Sequence, residues 1–350
     1  MTLPSWTPVG ALPRAHGAPL FKGRLRVRPE DFLVDEHLGF DPDGEGDHLL
    51  LHVRKTDANT QWVARRLARL AGAPIAAVGY AGLKDRHAVT TQWFSIPRPR
   101  GGIPDWSGLR EEGIDVLEGH SHRRRLRRGA LRGNRFEILV RATAPARPGL
   151  EQRLASIRAH GIPNYFGEQR FGQEQSNLVR AHALFEGKAA RVPRHQSGLW
   201  LSAARSQLFN EVLAERVRGA DWDQPLDGDC LQLAGSHSYF VAETIDARLR
   251  ERCDGMDTHP TGPLWGRGEP PTRAAVRRLE EGIAERFPTW CDGLGAFGLA
   301  QERRPLRVPV TALTADWVAD GLLLTFSLPA GSYATAALRE VVDVSEAWPA

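Results

Sequence analysis

The hydrophobic period switches repeatedly along this chain, and that switching most restricts what it can fold into. In HLLLHVRKT (48–56), Leu49, Leu51 and Val53 fall at alternate positions, the signature of a half-buried strand. In NTQWVARRLARLAG (59–72), Val63, Leu67 and Leu70 share one face of a helix. Asn59 or Thr60 can cap that helix, and Gly72 with Pro74 ends it. IAAVGY (75–80) then reads as a short buried strand and QWFSI (92–96) as the next one. RLRVRPEDFLVDEHL (24–38) reads as strand, turn, strand. In RFEILVRA (135–142), Phe136, Ile138 and Val140 alternate with Glu137, Leu139 and Arg141, again a strand. GLEQRLASIRAHG (149–161) returns to the helical period through Leu150, Leu154 and Ile157. Strands and helices interleaved in this way imply an α+β fold.

The texture changes near residue 190. GLWLSAARSQLFNEVLAERV (198–217) is a long helix, and DGDCLQLAGSHSYFV (227–241) reads as short strands and turns. Residues 254–272 are rich in Gly and Pro, and a helix follows at about 272–286. LLLTFSLPAGSYATAALRE (322–340) reads as strand, tight turn and helix. A length of 350 residues suits one elaborated domain or two. The apolar runs fall short of the roughly 18–20 residues that a membrane helix needs. The N-terminus lacks the basic and apolar regions of a signal peptide. Three cysteines without CxxC spacing suggest neither a disulfide framework nor a zinc site. A cytoplasmic protein is expected.

The net charge of +4 is modest, so its distribution matters more than its size. Nearly all the positive charge is arginine; Lys22, Lys55, Lys84 and Lys188 are the four lysines. A lysine retained in so arginine-rich a chain marks Lys84 as a place for a compact ammonium rather than a planar fork. Between His120 and Arg135 stand Arg123, Arg124, Arg125, Arg127, Arg128, Arg132 and Arg135 with no acid among them. Like charges this dense repel unless an anion neutralises them, which points to a polyanion partner. DPDGEGDH (41–48) carries acids at EF-hand-like offsets, but His52 occupies the twelfth position, where a carboxylate is required. His48 and His52, on one strand, stand about 13 Å apart, too far for one metal. His120 and His122 adjoin the arginines, which would repel a cation. No metal site is expected.

Two segments carry candidate chemistry. NYFGEQRFG (164–172) sets Asn164, Tyr165, Phe166, Arg170 and Phe171 between glycines. It reads either as a packed turn or as a platform on which an extruded base stacks while an amide reads its edge. GLKDRHAVT (82–90) places Asp85 between Lys84 and Arg86. Flanking cations favour the charged carboxylate, and a partly desolvated carboxylate can act as a nucleophile at a sugar or base carbon. The plainer reading is a salt-bridged turn.

Six blocks in this order, RPEDFLVDE (28–36), AGLKDRHAVTTQW (81–93), HRRRLRRGALRGNRF (122–136), PNYFGEQRFG (163–172), LWLSAARSQLFN (199–210) and LPAGSYATAALRE (328–340), span most of the chain. Together they resemble the TruD family of tRNA pseudouridine synthases. The resemblance implies a V-shaped molecule. Its catalytic domain would be built on a mixed, largely antiparallel sheet, with an inserted family-specific α/β domain. On this chain the catalytic domain is expected at 1–189 plus 308–350, and the insertion at 190–307. The resemblance also implies that Asp85 is the nucleophile and that Phe32, Asn164 and Tyr333 contact substrate, with Phe166 near the target base. Arg26 stands where the family often has Lys, and Tyr333 where it commonly has Phe, adding a hydroxyl. The implied reaction converts a D-arm uridine, at tRNA position 13, to pseudouridine without a cofactor. Arg26, Lys84, Arg86, Arg123, Arg124, Arg125, Arg127, Arg128 and Arg170 would support the site or the RNA. No GxGxxG fingerprint follows a strand, which agrees with a reaction that needs no dinucleotide. tRNA is the expected partner of a monomer with no membrane association. An RNA-binding protein without catalysis is the alternative, and a metal-dependent nuclease a third reading.

Overall fold

The computed structural model describes residues 3–99, 101–142, 148–189 and 192–346. Arg100, in the loop expected at 97–107, and the boundary expected at 190 lie outside the described residues. Contacts group the chain into two compact units. One comprises the residues up to Pro19, Glu151–Pro309 and Ser332–Val341; the other comprises Leu20–Leu150, Val310–Gly331 and the chain from Val342 onward. The first unit takes in all of 190–307 and adds flanking segments to it.

The second unit is built on a ten-stranded sheet. Its main path runs Thr311–Val318, Gly321–Pro329, Leu131–Arg141, Phe32–Leu38, Val89–Pro97, His48–Thr56, Ile114–His122. Every neighbour on this path is antiparallel except one: Phe32–Leu38 and Val89–Pro97 run parallel, with Leu33 beside Val89. A second parallel pair, Phe21–Leu25 with Val342–Glu346, lies off the path. The mixed, largely antiparallel sheet implied by the family resemblance is therefore observed. Helix Thr60–Leu70 packs its expected face, Val63, Ala64 and Leu67, against Leu49, Leu51, Val53, Phe94 and Ile96 of the sheet. Asn59 caps it by accepting the Gln61 N–H at 2.9 Å. IAAVGY departs from its expected strand. Pro74 leads into a 3₁₀ turn at Ile75–Ala77, Ile75 is half exposed, and only Gly79–Tyr80 pair with the sheet.

In the first unit the long helix Arg194–Arg218 is buried on several sides. Phe209, Leu213 and Val217 join Trp290, Phe287, Leu178 and Tyr165 in its main core. A helix enclosed in this way must also satisfy its buried polar positions. Gln207 donates to Thr7 O at 3.0 Å, and Glu211 accepts from Thr7 N at 2.6 Å. Arg216, 1% exposed, reaches both Asp229 oxygens (3.2 and 3.1 Å) and Asp221 (2.7 Å). The Gly- and Pro-rich segment 254–272 contains the strand Thr258–Leu264. That strand pairs with Asp229–Leu233 over Thr258–Pro260 and with Glu302–Pro305 over Thr261–Leu264. Pro260 pairs with Leu231 and its carbonyl accepts the Leu306 N–H at 2.8 Å, and Pro263 pairs with Arg303, so both prolines are accommodated within the strand. Among the described residues no helix is long and apolar enough to cross a membrane.

Arg216 gives the fold its sharpest stability test. Arg216→Met leaves the buried Asp229 carboxylate without its cation and should destabilise by about 3–5 kcal/mol. The check is the urea midpoint, with the slope of the transition unchanged.

Candidate active site

The parallel pair in the sheet decides where Asp85 sits. Parallel neighbours begin at the same end of a sheet, so the segments that enter them are brought together. Arg26 lies in the segment entering Phe32–Leu38, and Asp85 in the loop entering Val89–Pro97. Their side chains meet, Arg26 Nη2 to Asp85 Oδ2 at 3.4 Å. Arg26 has φ +52°, a left-handed conformation that costs a non-glycine residue about 1–3 kcal/mol. Its side chain is 5% exposed, and its guanidinium lies 4.1 Å from the centroid of the Phe32 ring. Phe32 is buried and in turn meets Phe136 edge-on at 6.4 Å. In this arrangement Phe32 supports the cation that faces Asp85.

The loop carrying Asp85 is fastened on three further sides. The Lys84 N–H donates to Thr60 Oγ1 at 3.0 Å, and the Thr60 hydroxyl donates to Gln92 Oε1 at 2.9 Å. The Lys84 ammonium runs inward to Glu36 Oε2 at 2.7 Å and Asn134 Oδ1 at 2.8 Å. Glu36 and Asn134 face each other across two adjacent strands, so one ammonium with three donors ties the loop to both. This explains the compact cation: Lys84 positions the loop from beneath and is directed at Glu36 and Asn134. Lys55, fully buried, donates to the Asp85 carbonyl oxygen at 2.7 Å. Burial pulls the Lys55 ammonium down from its usual range to about 8, with the nearby Asp85 opposing the shift. The Asp85 carboxylate keeps 28% of its side-chain surface exposed. Arg86 projects from the same loop into solvent.

The arginine run forms the turn between Ile114–His122 and Leu131–Arg141. Leu126 anchors it, buried against Leu50, Ala81 and Trp93. Leu126 N donates to Ser95 Oγ at 2.8 Å, and Gly129 N donates to Ala81 O at 2.8 Å, which holds the run against the start of the Asp85 loop. Gly79 makes this approach possible: a Cβ there would come within 2.3 Å of Leu126 O. The exposed Arg123 is ion-paired with Glu45, and its N–H donates to Asp43 Oδ2 at 2.9 Å. Asp43 and Glu45 of the 41–48 loop therefore serve this arginine turn. Arg124, Arg125, Arg127 and Arg128 are all exposed. Among the described residues no cluster of His, Cys, Asp or Glu has the geometry of a metal site.

The other expected substrate residues belong to the helical unit and form a cluster of their own. Asn164 is buried, donates through its amide to Pro305 O at 2.9 Å, and accepts from Arg304 at 2.5 Å. Arg304 lies 4.1 Å from the Phe166 ring centroid and Arg170 lies 5.3 Å from it. The Phe166 ring also meets Phe209 at 5.5 Å and Tyr333 at 6.0 Å, leaving it 6% exposed. Asn210 clasps the Phe166 backbone, accepting from its N–H at 2.9 Å and donating to its carbonyl at 3.0 Å. The Tyr333 hydroxyl accepts from Arg170 Nε and Nη2 at 3.1 and 2.9 Å. The hydroxyl that distinguishes this position thus locks Arg170 in place. Burial lowers the Arg304 guanidinium to about 10, which leaves it charged at neutral pH.

Lys55, Glu36, Asn134 and Arg304 escape the sequence reading because each acts across a long loop closure. Lys55 alone left a signal, as one of four lysines in an arginine-rich chain.

Comparison with known proteins agrees with the blocks that brought these residues to notice. The family model described as tRNA pseudouridine synthase D (TruD) matches residues 9–188 and 176–341. The protein called tRNA pseudouridine synthase D in Methylococcus capsulatus is 49% identical over 340 residues, covering 97% of this chain and 96% of that protein. Its namesake in Nitrosococcus oceani is 49% identical over 334 residues, covering 94% and 93%. A crystal structure from Methanosarcina mazei, titled as a TruD protein, superimposes with a TM-score of 0.68 at 20% identity. It covers 94% of this chain and 95% of that one, so the fold is shared along almost the whole length.

The depressed Lys55 group gives a signed pH test. Between about pH 8 and 10.5 the unfolded chain holds a proton on Lys55 that the folded chain has released. Stability must then rise with pH through that window. Wild-type stability should climb relative to Lys55→Met from pH 8 to 10, measured as paired urea midpoints. A pH-independent gap would show that the ammonium is not desolvated.

Proposed function

The chain belongs to the TruD family of tRNA pseudouridine synthases and is an isomerase that converts uridine to pseudouridine in tRNA; we propose that its target is a D-arm uridine, at tRNA position 13, and that Asp85 is the nucleophile. The observation that supports this reading best is the mounting of Asp85. A loop tied through Lys84 to Glu36, Asn134 and Thr60, and through Lys55 to the Asp85 carbonyl, carries a carboxylate that remains partly exposed. A salt-bridged surface turn does not require a buried lysine pair to hold its backbone. Holding a reacting group at fixed position removes much of the entropic part of a barrier.

In this mechanism the target nucleotide leaves its stack, at a cost of a few kcal/mol. Stacking on a planar group returns about 1–3 kcal/mol per base. Within the helical unit, Arg304 lying on Phe166, beside Asn164, Tyr333 and Arg170, offers such a plane to a base of the bound tRNA. Asp85 attacks C1′ of the ribose or C6 of the base. The N1–C1′ bond breaks, the uracil turns, C5 bonds to C1′, the bond to Asp85 breaks and returns its carboxylate, C5 loses its proton and N1 gains one. The balance is an isomerisation, so the reading assigns no redox partner, metal or other cofactor. Arg26 compensates the Asp85 charge as it changes. The exposed arginines Arg124, Arg125, Arg127 and Arg128, with Arg86, hold phosphates. The proposal keeps 190–307 as the family-specific insertion in a catalytic domain of 1–189 plus 308–350, acting as a cytoplasmic monomer.

The test is pseudouridine formation in tRNA by the purified protein with EDTA present, wild type beside Asp85→Asn. Wild type should modify position 13, while Asp85→Asn should bind tRNA and modify none. Equal conversion by the two proteins would overturn the assignment of Asp85.

A further inference from the structure

One cavity of the sheet unit joins three of the arginines assigned above to phosphates, Arg125, Arg127 and Arg128, to residues that reading leaves unused. It has a volume of about 610 Å³ and opens between the first turns of helix Thr60–Leu70, the 75–80 segment and the arginine turn. That volume lies within the range of sites that enclose a small organic ligand and exceeds what a lone phosphate needs. Four of its lining residues are cations, Arg65, Arg125, Arg127 and Arg128, and none is an acid. Its remaining wall is largely apolar, built from Ile75 and Val78 with the ring of Tyr80.

The charge pattern is local. Arg66, the next residue on the helix, is paired with Glu112, and Arg123 at the start of the turn is paired with Glu45. Among the described residues no carboxylate pairs with Arg65, Arg125, Arg127 or Arg128. Arg125 Nη2 donates to Val78 O at 2.7 Å, which fixes that side chain along the wall. Arg65 reaches the same cavity from a helix some 60 positions earlier in the chain, so the arginine run alone does not make this site. A dense cation cluster beside an aromatic ring and an aliphatic wall suits an anion that also carries a flat apolar group. Gln61, at the rim, offers an amide that can read the edge of such a group.

We propose that this cavity is a second nucleotide site, which takes one phosphodiester and its unstacked base from a tRNA nucleotide other than the one modified. The proposal rests on tRNA being the substrate. Its phosphate meets the arginines by charge-assisted hydrogen bonds. Its base lies against Tyr80, five residues before Asp85 in the chain. Such a site adds affinity and orientation, so its loss raises KM and leaves the chemical step intact.

The experiment uses the full chain and a tRNA transcript. Ile75 is half exposed, so Ile75→Glu puts a carboxylate into the cavity wall without disturbing the core; Ile75→Leu is its control, and thermal melting confirms that both fold. The expected result is a rise in Kd and KM of about tenfold for Ile75→Glu, with kcat kept and Ile75→Leu near wild type. Arg65→Glu should reproduce that rise from the opposite wall. Wild-type Kd and KM in both charge variants would overturn the proposal. The Kd reading needs no turnover, so it stands apart from any failure of pseudouridine formation. Titration with uridine and adenosine 5′-monophosphate separates the sources of the ligand. Saturable mononucleotide binding lost in Ile75→Glu, with tRNA affinity unchanged, would assign the cavity to a free nucleotide and overturn the tRNA assignment.

Discussion

The parallel pairing of Phe32–Leu38 with Val89–Pro97 is the constraint on which the candidate chemistry depends. An antiparallel pair at that place would send the two entering segments to opposite ends of the sheet, and Arg26 could not face Asp85. A parallel pair also needs a long crossover, here residues 39–88, which contains a strand, the capped helix and the short Gly79–Tyr80 strand. The crossover returns Lys55 to the same place: it lies opposite Thr90, just beyond the Asp85 loop. Thus one topological feature gathers Arg26, Lys55, Lys84 and Asp85 from segments up to 59 positions apart.

Within that frame the cations divide their work by shape. A guanidinium faces the partly exposed carboxylate, where its flat surface also lies on Phe32. Ammonium groups occupy the buried slots, where a compact donor fits between Glu36 and Asn134 or reaches a single carbonyl. Exchanging the two types would either leave donors unsatisfied inside or lose the stacked contact outside. The left-handed Arg26 backbone is the local strain that this arrangement sustains, held by packing around it.

The helical unit solves a different problem. Its long helix carries Gln207, Asn210, Glu211 and Arg216 at buried positions, and each meets a specific partner. Asn210 links that core to the aromatic cluster by clasping the Phe166 backbone. Gly167 lets Tyr333 approach, since a Cβ there would sit 3.2 Å from its ring. The NYFGEQRFG loop is therefore a tightly packed turn whose Phe166 ring is flanked by Arg304 and Arg170.

Hydrophobic period and capping chemistry are local, so the sequence by itself determined the strand at 48–56, the helix at 60–70, the α+β class and the loop that presents Asp85. It also carried the motif blocks that identify the family, because those are runs of neighbouring residues. Where local signals conflict, the sequence misled: the apolar IAAVGY became a 3₁₀ turn after Pro74, and within the Gly- and Pro-rich 254–272 nothing local marked the strand Thr258–Leu264. Only the tertiary structure decided which cation faces Asp85, that Lys84 points at Glu36, that Arg304 covers Phe166, and that Arg65 joins the arginine turn around one cavity. Each of those contacts closes a loop of tens of residues or more. Its partner is selected by burial, register and charge together, and no short window of sequence contains all three.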